Sequence, residues 1–267
     1  MWPIIKRTIK DRWMIFLIYI IAASAFLFMH TSIFPSFKDQ QIDISKMLES
    51  MPKGFIDAFG LQDYDMSKFE NYISGEEFSL IWPLLLLIMS ISLAGGAIAA
   101  EVEKGTIEVL LSQPISRSKL YVARYISGLI LIIGFVAITI ILLILMAKAF
   151  GISVEISRFF TLAFVALLFA WAIYGIAMFL SSIFSDRGKV YFICAGLLFV
   201  MYAINIVSGL KENLKDLKYL SFFHYYVPND LLIRNHLDTT SVWVFVSVAI
   251  VFSVAGLIVF NRRDIST

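Results

Sequence analysis

A short charged segment between two long apolar runs contains a patterned group of side chains that could do chemistry. It covers residues 100–120 and reads AEVEKGTIEVLLSQPISRSKL. Carboxylates and arginines at this spacing can form ion pairs, and capping residues around a short apolar run favour a helix that docks against another surface. The segment has no histidine that could activate a nucleophile, so its pattern indicates charge pairing and docking.

Glycine and proline divide this segment. Gly105 ends the helix that leaves the preceding apolar run, and Thr106 can cap a new helix. Glu108 lies in the first turn of that helix, where the helix dipole favours an acid, and Pro114 forbids its continuation. We therefore predict a helix of about two turns. Its apolar residues, which we expect to be buried against the bundle or a partner, are Ile107, Val109, Leu110 and Leu111.

Charged residues flank the predicted short helix on both sides. Glu101 and Glu103 extend the preceding apolar run, while Arg117 and Arg124 lie at the start of the next one, where Ser116 offers an N-cap. We expect the acids to form ion pairs with these basic residues and to move with the loop. From spacing alone, an ordinary capped connector explains the segment equally well.

The apolar runs around this segment must cross a membrane. Hydrophobic residues make up 60% of the 267 residues, charged residues only 16%, and the mean hydropathy is +0.84. An apolar run of about twenty residues spans a bilayer as a helix. The sequence predicts an all-α integral membrane protein with one transmembrane domain over residues 1–267. The six predicted spans are Trp13–Phe34, Phe78–Ala100, Tyr121–Ala147, Phe159–Phe184, Val190–Gly209 and Ser241–Phe260.

The distribution of basic residues predicts the orientation. With both termini inside, the inner segments and Arg124 hold 12 of the 22 lysines and arginines in little more than half the length of the outer segments. Residues 1–12 and 101–120 are then cytoplasmic. Residues 1–12 suit either a helix in the cytoplasmic interface or a plain basic anchor. Cleavage as a signal peptide is disfavoured, because the apolar run continues to spanning length.

Two loops are predicted on the outer side. Residues 35–77 are rich in acids and contain amphipathic patches, so we expect a small helical outer cap. Residues 210–240 begin with leucines at helical spacing and continue with the aromatic run Phe222–Tyr226. We expect an outer helix in the interface there, followed by an aromatic belt or, less simply, a substrate surface.

Several motifs are absent from the sequence. There is no phosphate-binding GxxxxGK[ST] loop, no HExxH, and no charge near the centre of a predicted span. The three histidines lie near the outer ends of the spans, and no metal or catalytic site is predicted. A carrier driven by an ion gradient is disfavoured because such proteins bury charged relays. If the protein is a pump, its energy must come from another subunit.

The segment Glu101–Arg117 resembles the loop after the second span in permease subunits of type-2 ABC exporters, the bacterial family of multidrug and antimicrobial-peptide efflux permeases. Ser221–Tyr226 is similar to an aromatic motif that the family carries before its last span. Val227 stands where an acid often follows. The likeness extends over nearly the whole chain, including the number of spans and the missing ATPase domain.

This resemblance implies a half-transporter in the bacterial plasma membrane. ATP and Mg²⁺ would be bound by a separate cytoplasmic ATPase subunit, and this chain would hold no cofactor. A second permease, identical or paralogous, would complete a dimer in the lipid bilayer, and no nucleic acid is expected as a partner. The resemblance places a coupling helix at Gly105–Ser112. The residues expected to contact the ATPase or to steady the coupling helix are Glu101, Glu103, Gly105, Thr106, Glu108, Leu110, Leu111, Pro114, Arg117 and Arg124.

Small residues on the second span could let two permeases approach. Ser92, Gly96 and Ala100 form a small-xxx-small row, although packing within one bundle explains the row equally well. Aromatic residues in the spans suit an amphipathic substrate or contact with lipid; they are Phe26, Trp82, Tyr174 and Tyr202. The sequence thus favours ATP-driven export of a peptide, antibiotic or lipid-like molecule. The alternatives are a membrane scaffold or sensor that recruits a cytoplasmic partner, or a gradient-driven carrier.

Overall fold

The computed structural model describes residues 1–39, 68–107 and 115–263, and within them the chain is helical with no β-strand. Five helices are long and apolar enough to cross a membrane, and a bent helix pair raises the number to six if it forms one span. The predicted all-α membrane protein is confirmed at this level. In chain order the α-helices are α1 (Trp2–Asp39), α2 (Phe69–Ile73), α3 (Ile81–Gly95), α4 (Ala99–Glu103), α5 (Arg117–Ala149), α6 (Ile156–Ile183), α7 (Arg187–Leu210), α8 (Phe222–Tyr225), α9 (Pro228–Leu232) and α10 (Thr239–Arg262).

The second predicted span is broken rather than continuous. A π-helical turn, Ser74–Phe78, follows α2. Together they form a helical segment, Phe69–Phe78, whose direction differs by 41° from that of α3. Pro83 lies in the first turn of α3; it has no N–H, and its ring would clash with the carbonyl of Ser79 in an uninterrupted helix. The backbone therefore leaves the helical conformation at Leu80 (φ −141°, ψ −61°).

The first twelve residues are not a separate element. They form about three turns at the start of α1, which continues without interruption to Asp39. Of the apolar residues that an interface helix would place on one side, Ile5 is buried, whereas Trp2 and the following Trp13 are exposed. The helix thus carries its N-terminal basic residues directly on the end of the first span.

Helix α6 is the centre of the bundle, and 72% of its most apolar stretch is buried. It packs closely against α10, because two glycines remove the side chains that would separate them. A Cβ atom on Gly175 would lie 3.1 Å from the carbonyl oxygen of Ala249, and one on Gly256 would lie 3.1 Å from the Cα atom of Phe179. The two backbones are therefore nearly in contact at both levels.

Two aromatic residues that the sequence offered as pathway or lipid contacts belong to the core. Trp82 and Tyr174 are fully buried. The indole Nε1–H of Trp82 donates to the hydroxyl of Thr139 at 3.1 Å, and the phenol of Tyr174 donates to the backbone oxygen of Tyr125 at 3.2 Å. Both rings therefore connect helices within one chain.

The segment between α7 and α10 is built from short helices. A 3-10 helix, Glu212–Leu220, precedes α8 and α9, and Ser221 caps α8 by accepting from the backbone N–H of Phe223. Phe222 and Tyr226 are buried, and the ring of Tyr226 lies 5.2 Å from that of Phe169 in α6. Part of the predicted aromatic belt thus anchors this segment to the bundle.

The predicted outer cap lies only partly within the described residues. Its ends continue α1 to Asp39 and form α2, where Phe69 packs on Phe34 with ring centroids 5.2 Å apart. The amphipathic patches predicted within residues 40–67 lie outside the described part of the chain.

Candidate functional site

The chain leaving α3 is fixed to other helices before it reaches the predicted short helix. The backbone N–H of Ala99, at the start of α4, donates to the hydroxyl of Ser181 on α6 at 3.0 Å. The guanidinium of Arg12 on α1 donates to the carbonyl oxygen of Gly96. Both bonds use backbone groups at helix ends, which otherwise lack partners.

Glu101 lies at the centre of the next set of contacts. One carboxylate oxygen accepts from the Nη2 of Arg124 at 3.1 Å, and the other accepts from the hydroxyl of Thr106. The side chain of Arg124 is only 9% exposed, so this pair is mostly removed from water. Charge-assisted hydrogen bonds of this kind are roughly twice as strong as neutral ones. Glu101 thus connects the loop to α5 through Arg124, and it also bonds Thr106 within the loop.

Helix α4 ends just before Gly105, where the sequence predicts it to end. This residue has φ +69°, a left-handed conformation that favours glycine, and it follows the end of α4 at Glu103. Two residues further on, Ile107 is buried, with 1% of its surface exposed. The predicted burial of this residue is therefore confirmed.

Glu103 connects the loop to α7. Its carboxylate lies 3.6 Å from the Nε of Arg187 and accepts from the backbone N–H of the same residue at 3.3 Å. Both side chains are roughly half exposed, so water screens this pair more than that of Glu101. The two predicted acids thus form ion pairs, one with Arg124 as expected and one with a residue that the sequence did not single out.

The far side of the loop is fixed to the end of α10. Ser116 caps α5 as predicted, accepting from the backbone N–H of Lys119 at 3.3 Å. The guanidinium of Arg117 donates to the carbonyl oxygen of Arg263, whose own guanidinium donates to the carbonyl of Ser182 at 3.0 Å. Burial lowers the pKa of Arg263, but a guanidinium group remains protonated.

We call these contacts the loop network. They show that the beginning of α1, the loop, the start of α7 and the end of α10 lie at one end of the bundle. The charged members of the network are Arg12, Glu101, Glu103, Arg117, Arg124, Arg187 and Arg263.

Four predicted site residues, Glu108, Leu110, Leu111 and Pro114, lie outside the described part of the chain. The short helix that they would form therefore stays a prediction. What the structure describes is the attachment of the loop on both sides of it.

The predicted small-residue row does not lie on one helix, because Ser92 is in α3, Gly96 follows its end and Ala100 is in α4, and the row is occupied within the chain. Gly96 and Ala100 are buried, and the guanidinium of Arg12 lies directly over Gly96, in the space that a side chain would fill. Next to this row, the ring of Tyr191 packs on Gly95 in the same way. The small residues thus admit side chains from α1 and α7, and their part in a dimer stays a prediction.

A buried pair at the opposite end of the bundle was missed from the sequence. His30 of α1 and Glu77 of the π-helical turn contact each other, with 2.9 Å between Nδ1 and Oε2. The sequence placed both residues near the outer ends of spans, where exposure is expected. Among the described residues, no group of histidines, cysteines and acids could hold a metal ion.

These features define a helical membrane protein that carries a charged, internally fastened loop between its second and third spans. The chain matches the family described as ABC-2 family transporter protein over residues 5–265, and it belongs to this family. It is therefore the permease component of an ABC transporter, a multi-pass membrane subunit that is not itself catalytic and whose family associates with an ATPase subunit. No curated protein matches the chain. The predicted relationship to type-2 ABC permeases is confirmed.

Proposed function

We propose that this permease couples ATP hydrolysis in a separate subunit to the export of an amphipathic molecule such as a peptide, an antibiotic or a lipid-like compound. ATP and Mg²⁺ are bound by the partner, and the loop between α4 and α5 receives it. The loop end of the bundle faces the cytoplasm, together with both termini, because the inner segments hold the excess of basic residues.

The observation that carries this proposal is the loop network. A displacement of the loop acts on α5 through Glu101 and Arg124 and on α7 through Glu103 and Arg187. It acts on α1 through the bond from Arg12 to the carbonyl of Gly96. A plain connector needs no such bonds, whereas a segment that transmits force must be attached to several helices.

Docking and coupling can be separated by two substitutions in the loop. Co-expressed with its ATPase, the Glu108→Lys variant is expected to lose association, since the substitution reverses a charge on the proposed docking helix. Glu101→Gln is expected to keep association but to lose most of the stimulation of ATP hydrolysis, because the attachment to Arg124 weakens. Glu76→Gln, an exposed acid at the other end of the bundle, is the control.

Co-purification of the two subunits measures their association. ATP hydrolysis by the complex in vesicles measures the stimulation. Full association and full stimulation in both loop variants would refute the docking site. A complex whose ATP hydrolysis is the same with and without the permease would favour the scaffold interpretation over transport.

We also propose that two permeases pair through the outward face of α7. Only 11% of the most apolar stretch of this helix is buried, and Phe192 and Phe199 are 82% and 74% exposed. In a background with the buried Cys194 replaced by serine, Phe199→Cys is expected to cross-link two copies. Val251→Cys, which is 61% exposed on α10, is expected not to. Cross-linking at residue 199 no stronger than at residue 251 would show that α7 is not the pairing face.

A further inference from the structure

The pair formed by His30 and Glu77 is enclosed in the bundle. The side chain of Glu77 has no exposed surface, and that of His30 is 10% exposed. Although Oε2 of Glu77 lies 2.9 Å from Nδ1 of His30, neither atom forms a hydrogen bond of regular geometry, and the other carboxylate oxygen has no hydrogen-bond partner among the described residues. The imidazole of His30 is the only described basic group that contacts this carboxylate.

Other charged groups near this pair already have their own partners or face water. Glu76 is exposed on the same turn, and Glu70 of α2 accepts from the backbone N–H of Glu155 at 3.1 Å. Asp230 of α9 is paired with Arg234 at 2.9 Å. Tyr72 of α2 lies against His30, with ring centroids 6.1 Å apart, and brings no charge of opposite sign.

The electrostatics of this enclosure require a proton. A buried carboxylate facing a neutral imidazole would leave one uncompensated negative charge, which is costly in an apolar interior. One added proton removes that net charge, either as a carboxylic acid beside a neutral imidazole or as a carboxylate beside an imidazolium. Among the described residues, no group of side chains at this site could hold a metal ion. The proton is the ligand that fits.

We propose that His30 and Glu77 form a proton-binding site that holds one proton while the bundle is closed. The site lies directly before the bend between the π-helical turn and α3, so a change of that bend would bring Glu77 to water and permit exchange. This property is independent of where the ATPase docks.

The proton can be counted when the full chain, purified in detergent, is unfolded in weakly buffered denaturant containing a pH-indicator dye. At about pH 7.5 the unfolded chain protonates neither side chain appreciably, since free glutamate and histidine titrate near about 4.3 and 6.5. Wild-type protein is expected to release about one proton more per chain than Glu77→Gln. Glu76→Gln, the neighbouring exposed acid, is expected to behave like the wild type.

A second comparison tests the histidine and remains informative if Glu77→Gln does not fold. At about pH 5.5 the unfolded wild type carries a proton on His30, so release from this pair is close to zero. In His30→Gln the buried Glu77 still holds its proton while the unfolded glutamate does not, so about one additional proton is released. Equal release by wild type and Glu77→Gln at the higher pH, or by wild type and His30→Gln at the lower pH, would overturn the proposal.

Discussion

Acidic residues at the two ends of the bundle lie in opposite environments. At the loop end, Glu101 and Glu103 each face an arginine and accept further hydrogen bonds. At the other end, Glu77 is more deeply buried than either of them, yet its only ion-pair partner among the described residues is a histidine. The same side-chain chemistry therefore occurs in a fully paired and a poorly paired environment within one chain.

This difference separates two roles for buried charge. A carboxylate bound by a guanidinium keeps its charge, because arginine does not lose its proton, and the pair is a permanent attachment between helices. A carboxylate bound by imidazole can gain or lose net charge near neutral pH. One end of the bundle therefore has permanently charged pairs that connect helices, and the other has the pair for which we propose a bound proton.

Replacing Glu101 with leucine is expected to have the largest effect. It leaves Arg124 buried without its carboxylate, which should destabilise the protein by about 3 kcal/mol. Thermal unfolding in detergent measures this loss. Asp11→Leu removes an acid from an exposed pair with Arg7 and is expected to change stability by less than about 0.5 kcal/mol. Similar shifts for the two variants would mean that burial of the Glu101 pair has no energetic consequence.

Replacing Glu77 with methionine should act in the opposite direction. The folded variant no longer needs to take up a proton, so at neutral pH it should be more stable than wild type by about 1 to 2 kcal/mol. The advantage should grow as the pH rises above about 6.5, because the wild-type pair then binds a proton that the unfolded chain does not. Unfolding temperatures across pH provide the measurement. A loss of stability as large as that of the leucine variant at Glu101 would show that Glu77, like Glu101, stabilises the fold through its pair.

The N-caps at the two ends allow a matched comparison of stability and activity. Ser116 caps α5 at the loop end, and Asp238 caps α10 at the opposite end by accepting from the backbone N–H of Thr240 at 2.9 Å. Each change to alanine should cost about 1 kcal/mol. Only Ser116→Ala should also reduce stimulated ATP hydrolysis, and equal activities would show that the start of α5 transmits nothing.

Glu103→Gln should have the smallest effect on stability, about 0.5 kcal/mol, since its pair with Arg187 is half exposed. The cost should disappear at high salt, unlike that of the leucine variant at Glu101. Unfolding temperatures with and without added salt distinguish the two pairs. A cost that salt does not change would indicate that the Glu103 pair is shielded from solvent.

Local features were predictable from the sequence. The positions of the spans follow from bilayer thickness, the turn at Gly105 from backbone freedom, and the cap at Ser116 from its place before a long apolar run. The ion pair between Glu101 and Arg124 was expected because both lie at span ends next to the same short loop. In each case the determining residues are close in sequence.

Features that depend on how helices face one another were not predictable. Helix α6 is apolar on all sides, so no periodicity indicated that Tyr174 points into the core. The contact between His30 and Glu77 joins distant parts of the chain, and hydropathy marks Glu77 only as the boundary of a span. The break before α3 did have a signal in Pro83, but the apolar character of the run outweighed it.

The close approach of α6 and α10 has a consequence for any cycle of conformations. With backbones nearly in contact at Gly175 and Gly256, neither helix can slide or rotate without carrying the other, so the two form a single rigid unit. Helix α5 is attached to this unit as well, because Tyr121 and Tyr125 bond Ser253 of α10. A larger side chain at Gly175 or Gly256 would force the two backbones apart, and we expect it to alter the cycle from a point distant from both the loop and the pair of His30 and Glu77.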